Sequence, residues 1–206
     1  MAAGLFLAAL PARGNDAYRD FAELKAAQKE GEDFRITAVN RGSSVTVFAI
    51  HAGQIEPGTG EIARILAGDE WNLYLFEGFL GKKSRRLHIT AADFDEPAAV
   101  ALASAAVLAV SVHGERDAGE AVCVGGSDTR LRHRVAESLA EADFAVEEPC
   151  RRLPGEEPRN IVNRARRGGV QLELPRSLIR SLLRDRALME AFRVYLRRAV
   201  VKESQP

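Results

Sequence analysis

Two histidines stand directly after strongly apolar runs of the chain, His51 after VTVFAI and His113 after VLAVSV. Imidazole is a good ligand for a transition metal, and in open α/β sheets ligands gather at the carboxyl ends of strands. Two such ends, delivered by separate buried strands, are placed to share one ion. Glu56 follows His51 by five residues in HAGQIEPGTGEIA, where Gly53, Pro57 and Gly58 shape a tight path that could return the carboxylate toward the imidazole. Two histidines and one carboxylate leave a fourth tetrahedral position open for water, the pattern of a catalytic zinc site rather than a structural one. Either histidine alone has a plainer reading, a hydrogen bond inside a loop. The pair at equivalent strand ends is the stronger sign.

A second carboxylate lies in VQLEL (170–174). Val170, Leu172 and Leu174 point one way, Gln171 and Glu173 the other. A carboxylate on so apolar a strand costs free energy unless it is paired or used. Beside an activated water, Glu173 could accept a proton during attack on a carbonyl and pass it to the leaving amine; the alternative is the exposed face of an edge strand. Asn163 and Arg164 offer an amide and a guanidinium to a substrate carboxylate, and Arg86 and His88 are candidates for polarising a scissile carbonyl or binding substrate. Glu61 is either a partner to a ligating histidine or a charge favoured in the first turn of a helix. His133, among arginines, reads as surface, and Gly125-Gly126 reads as a turn.

The elements around these residues alternate. Asn15 or Asp16 is expected to cap a helix carrying Tyr18, Phe21 and Leu24 inward, with Gly31 as its stop. FRITAV (34–39) and VTVFAI (45–50) read as strands joined by the turn Asn40-Arg41-Gly42. Thr59 caps a short helix holding Ile62, Ile65 and Leu66; WNLYLF (71–76) and LHIT (87–90) alternate like strands. Asp95 and Pro97 start an alanine-rich helix, and VLAVSV (107–112), AVCV (121–124), FAVE (144–147) and VQLEL complete the strands. Residues 128–142 form an amphipathic helix, and the tail from Ser177 to Val201 is helical with a break near Asp185. The pattern predicts one α/β domain over 17–201, a mixed or largely parallel sheet flanked by helices, with an extension at 1–16 and a tail at 202–206.

Bulk properties exclude other classes. With 29 basic and 29 acidic residues the formal net charge is zero, so nothing suggests a nucleic-acid binder. No apolar run approaches a membrane span. Cys123 and Cys150 make no disulfide framework and no ligand pair, and the chemistry needs neither. The opening MAAGLFLAALPARG lacks a basic start, so a signal peptide is not favoured and the cytoplasm is the default. Arg151, Arg152, Arg159, Arg164, Arg166 and Arg167 form either a solvated face or a receiver for an anionic substrate.

AIHAGQIEPGTGEIA, YLFEGF, LHITAADFDEP, VSVHG, VGGSDTRL, NIVNRARRGGVQLEL and the opening YRDFAELKAAQKEGEDFRI together resemble the phage-related poly-γ-glutamate hydrolase family, from about Tyr18 to Val200. The resemblance implies a single-domain zinc hydrolase with a carboxypeptidase-like fold. It would cut γ-glutamyl amide bonds of poly-γ-glutamate by attack of a metal-bound water, and release on lysis would need no signal. It implies zinc ligands at His51, Glu56 and His113 and a general base and acid at Glu173, with an Arg or His stabilising the oxyanion. Ala52 stands where the family carries glycine, so its methyl is expected to narrow the approach to the metal, and Ala91-Ala92-Asp93 departs from the expected polar neighbours. Two alternatives stand beside this one. The first is a zinc amidohydrolase for another acidic amide, such as an N-acyl-glutamate. The second is a non-catalytic binding protein of the same fold, whose mark would be loss of Glu173 or a ligand; all four are kept.

Overall fold

The computed structural model describes residues 16–115 and 119–204. The expectations for the opening segment through Asn15 lie outside them. In chain order the elements are α1 (Phe21–Ala27), β1 (Phe34–Val39), β2 (Val45–Gly53), α2 (Thr59–Ala67), β3 (Asn72–Gly78), α3 (Pro97–Ala105), β4 (Leu108–Glu115), β5 (Val122–Gly125), α4 (Thr129–Ala140), β6 (Val146–Glu147), β7 (Gly169–Pro175), α5 (Arg176–Arg184) and α6 (Arg186–Ser204). The strands form one mixed sheet in the order β1-β3-β2-β4-β7-β5-β6. β3, β2, β4 and β7 run parallel, while β1 and β5 pair antiparallel to β3 and β7. The fold is the single-domain α/β class read from the sequence. No helix among the described residues is long and apolar enough to cross a membrane.

Every residue of β2 from Val45 to Ala52 is buried, as a strand covered on both faces requires. One face packs Val47, Ala49, Val110, Val112, Leu172 and Leu174 against α2, α4, α5 and α6. On α6 the stripe Phe192, Leu196, Val200 is fully buried, each residue four after the last. Truncating Phe192 to alanine would cost about 3–5 kcal/mol. The other face packs Phe48, Ile50, Tyr74 and Phe76 against α1 and α3, with Phe21, Phe34 and Phe76 in mutual ring contact.

Several local expectations are corrected. α1 starts later than expected: Asp20 accepts from the backbone N–H of Glu23 as its cap. β1 and β2 are neighbours in sequence but not in the sheet, because β3 inserts between them. Residues 81–87 form a 3₁₀ turn (Gly81–Leu87), and His88–Thr90 continue without a ladder, so LHIT is not a strand. Its alternation survives all the same: Leu87 and Ile89 are fully buried, while Thr90 is exposed. Glu96 rather than Asp95 caps α3, Ile65 faces outward, and Thr59 begins α2 instead of capping it. VQLEL is no edge strand, since β7 is flanked by β4 and β5. Cys123 and Cys150, read as unlinked, form a disulfide with Cα atoms 4.9 Å apart. The bond clips β5 to the chain beyond β6, a proximity that two isolated cysteines 27 residues apart do not announce.

One irregularity decides where the site lies. Against β3, Ala49 pairs with Leu75 but Ala52 pairs with Glu77, so β2 carries one extra residue between them. Odd-numbered Val47 and Ala49 face the α2 side, yet beyond the bulge it is Ala52 that does so. His51 is therefore turned onto the face of Phe48 and Ile50 instead of into the opposite core. Bulges re-aim side chains in this way beside functional sites.

Candidate metal centre and active site

His51, His113 and Glu173 lie at the carboxyl ends of β2, β4 and β7, the three central parallel strands. Register sets His113 directly beside Glu173 and Ser111 beside Gln171, all on one face. Glu56 reaches the same place from the loop after β2. Its backbone N–H donates to the His51 carbonyl at 2.8 Å, and Thr59 Oγ1 donates to the Glu56 carbonyl at 2.8 Å. Gly58, with φ 98°, turns the chain into α2, and a Cβ there would come within 2.4 Å of Ile179. The tight return expected from the glycines of this loop is realised.

Three donors converge. His51 Nε2 lies 2.9 Å from the carbonyl of Ile89, which fixes the proton on that nitrogen and leaves the Nδ1 lone pair free. His51 Nδ1 stands 3.1 Å from Glu56 Oε1 and 3.2 Å from His113 Nδ1, and His113 Nδ1 is 3.6 Å from Glu56 Oε2. A tetrahedral zinc with bonds of about 2.0–2.1 Å separates its ligand atoms by about 3.3–3.4 Å. The triangle of donors has the dimensions of one face of such a site. The second Glu56 oxygen accepts the Gly114 N–H at 2.9 Å, which fixes the carboxylate plane. All three side chains are buried, and His113 Nε2 and Ser111 Oγ are buried polar atoms with no partner among the described residues.

His88 offers a competing set. Its ring stacks on His51 with centroids 3.9 Å apart, and donor atoms of His51, Glu56 and His88 fall within 4.8 Å of one another. We favour His113 as the third donor, because its Nδ1 meets the other two at ligand spacing while His88 Nδ1 is held at 2.6 Å by Asp16. Asp16 also accepts from Thr90 N–H at 2.6 Å and Thr90 Oγ1 at 2.7 Å, so it braces His88 rather than starting a helix.

Protonation follows the same geometry. Burial pushes the Glu56 carboxyl up, but His51 and His113 together hold it well below the ordinary range. Burial, with His88 adjacent, drives His51 down to about 4. Burial also opposes charge on His113, yet the Glu173 and Glu56 carboxylates outweigh it and raise its pKa. The three groups are coupled, Glu56 drawn toward its charged form and His51 toward its neutral form. A metal cation would take the place of the His113 Nδ1 proton. Glu173 is different. Burial carries it up to about 7, His113 pulling it down and Glu56 and Glu115 adding to the rise.

Residues that sequence reasoning passed over support Glu173. Gln171 Nε2 donates to Glu173 Oε1 at 2.9 Å, and Asn160 Nδ2 donates to Gln171 Oε1 at 2.9 Å. The shared face of Gln171 and Glu173 was the available signal; the role of Asn160 depends on a loop that carries none. Asn163 donates to the carbonyls of Gly155 and Glu157 and accepts from the Ser127 N–H, and Arg164 Nε donates to the Arg159 carbonyl. Both brace the 155–160 loop. Arg86 is exposed on the 3₁₀ turn. The methyl of Ala52, expected to crowd the metal, instead packs on the opposite face beside Gly60.

The family description "Poly-gamma-glutamate hydrolase" matches residues 18–194. This chain belongs to that family. As a poly-γ-glutamate hydrolase family member it is 35% identical over 188 residues to the UPF0714 protein YndL of Bacillus subtilis (strain 168), covering 87% of this chain and 74% of YndL. The structure of a bacteriophage poly-γ-glutamate hydrolase superposes with a TM-score of 0.84 at 32% identity, covering 91% of this chain and 98% of that one. A zinc-free YndL structure superposes with a TM-score of 0.82 at 31% identity over the same shares.

Proposed function

We propose that this family member is a zinc hydrolase that cleaves γ-glutamyl amide bonds of poly-γ-glutamate. His51, Glu56 and His113 hold the metal, and Glu173 moves the proton. The observation that carries this is the convergence of two imidazole nitrogens and a carboxylate at 3.1–3.6 Å beside a second buried carboxylate. That a relative was solved in a form called zinc-free supports the choice of metal. When bound, zinc supplies Lewis-acid polarisation of the scissile carbonyl and lowers the pKa of a water to near neutrality.

The chain's own groups do the rest. Glu173, with a pKa of about 7, is matched to accept a proton from the attacking water and return it to the departing amine nitrogen. Gln171, anchored by Asn160, fixes one Glu173 oxygen and leaves the other for the reaction. The Ile89 carbonyl keeps the His51 tautomer that presents Nδ1, and Gly114 keeps Glu56 in plane. His88, packed against His51 and held by Asp16, is the group we assign to polarising the substrate carbonyl.

The test is metal content of the purified protein, with chain shortening of poly-γ-glutamate followed before and after chelation. One zinc per chain and cleavage that stops on chelation and returns with zinc is the expected result. Zinc without cleavage of this polymer would transfer the same chemistry to another acidic amide. Cleavage untouched by complete metal removal would overturn the mechanism.

A further inference from the structure

The 3₁₀ turn Gly81–Leu87 carries Lys82, Lys83, Arg85 and Arg86, all exposed and none with an acidic partner among the described residues. Elsewhere many arginines are matched: Arg132 with Glu148 and Glu156, Arg152 with Glu115 and Glu147, Arg197 with Glu70. Four like charges within five residues repel one another, and the chain has as many acids as bases. The turn is also fixed in place. Gln54, between His51 and Glu56, accepts from Gly81 N–H at 2.6 Å and Ser84 Oγ at 3.3 Å. Its own N–H donates to the Gly78 carbonyl at 2.9 Å. At its far end the turn runs directly into His88, stacked on His51. A cationic turn is thus joined at both ends to the segments that form the metal centre.

We propose that this turn is a subsite for the free carboxylates of an acidic polymer, gripping the part of the chain that extends beyond the scissile bond. The inference rests on the poly-γ-glutamate reading of the centre, whose substrate carries one free carboxylate per residue. Lysine and arginine side chains on an exposed turn bind such a chain mainly by charge, with arginine adding forked hydrogen bonds. Binding of this kind weakens with salt and strengthens with the number of carboxylates within reach.

The experiment compares the wild type with the fourfold variant Lys82→Gln, Lys83→Gln, Arg85→Gln, Arg86→Gln. A control variant, Arg180→Gln, Arg184→Gln, Arg186→Gln, Lys202→Gln, removes as many exposed cations elsewhere. The readout is kcat/KM on long poly-γ-glutamate divided by kcat/KM on a γ-glutamyl trimer, at low and high salt, with zinc content checked. The ratio is expected to fall about 5- to 30-fold in the turn variant, with a flatter salt dependence, and to hold in the control. An unchanged ratio in the turn variant, or an equal fall in the control, overturns the subsite. Binding of fluorescently labelled poly-γ-glutamate, followed by anisotropy, separates the two claims. If the wild type cleaves nothing, the hydrolase reading fails, while loss of salt-sensitive binding in the turn variant alone still supports the subsite and equal binding by both still rejects it.

Discussion

Glu173 and Glu203 are both buried carboxylates, and their partners shift them in opposite directions. The side chain of Glu203, 1% exposed, meets the guanidinium groups of Arg130, Arg134 and Arg167. Burial alone would raise its pKa, but the arginines reverse the effect and hold it below the usual range. It ties α6 to α4 and to the turn before β7, and its charge is permanent at neutral pH. Glu173 receives one amide hydrogen bond from Gln171, faces His113, and is carried up to about 7. A fully matched carboxylate is a structural fastener. One left short of cations in a buried position holds a proton that can move.

The largest effect that would break this contrast is Glu173→Gln. It is expected to lower kcat about 10²- to 10⁴-fold while leaving the thermal midpoint near that of the wild type. Comparable activity in the variant would leave Glu173 no better than Glu203 as a proton carrier. Next comes the strand neighbour of Glu173. Cys123 lies opposite it in the β5–β7 register, and replacing Cys123 and Cys150 with serine should remove about 2–4 kcal/mol from the unfolding free energy in urea titrations. Glu203→Gln should cost about 1–3 kcal/mol by the same measurement, with kcat per folded molecule unchanged.

The smallest effect sharpens the contrast by sign. In metal-free protein Glu173 binds a proton more tightly folded than unfolded, so its contribution to stability declines as pH rises from about 4.5 to about 7. Glu203 has the depressed pKa, so its contribution is complete above the ordinary carboxylate pKa and is lost as pH falls below it. Unfolding titrations from about pH 3 to about pH 8 should show the decline toward neutral pH become shallower in Glu173→Gln and the acid-side loss become shallower in Glu203→Gln, each against the wild type. A pH dependence identical to the wild type in either variant would contradict the assignment.

The division between what the sequence displayed and what it concealed follows range. His51 and His113 stand out as candidates because a polar residue ending an apolar strand is a local pattern, and Glu173 because a charge in an alternating strand is another. The bulge in β2 was hidden: VTVFAIHAG gives no sign that one residue is extra, since the count is set by pairing with β3. Asp16 is one of two residues, with Asn15, that read as a helix cap, because aspartate before an apolar run commonly is one; its partners, His88 and Thr90, lie more than seventy residues away. LHIT alternates as a strand would, but no neighbour offers it a ladder. The disulfide and the hydrogen bond from Asn160 to Gln171 likewise depend on contacts that only the folded chain creates.

The central claim is that His113, rather than His88, completes the metal site with His51 and Glu56. Calorimetric titration of zinc into metal-free protein tests it, with the wild type run beside His113→Ala and His88→Ala. One tight site per chain in the wild type, retained in His88→Ala and lost in His113→Ala, is the predicted outcome. Retention in His113→Ala with loss in His88→Ala would contradict the account and make His88 the third ligand with His51 and Glu56.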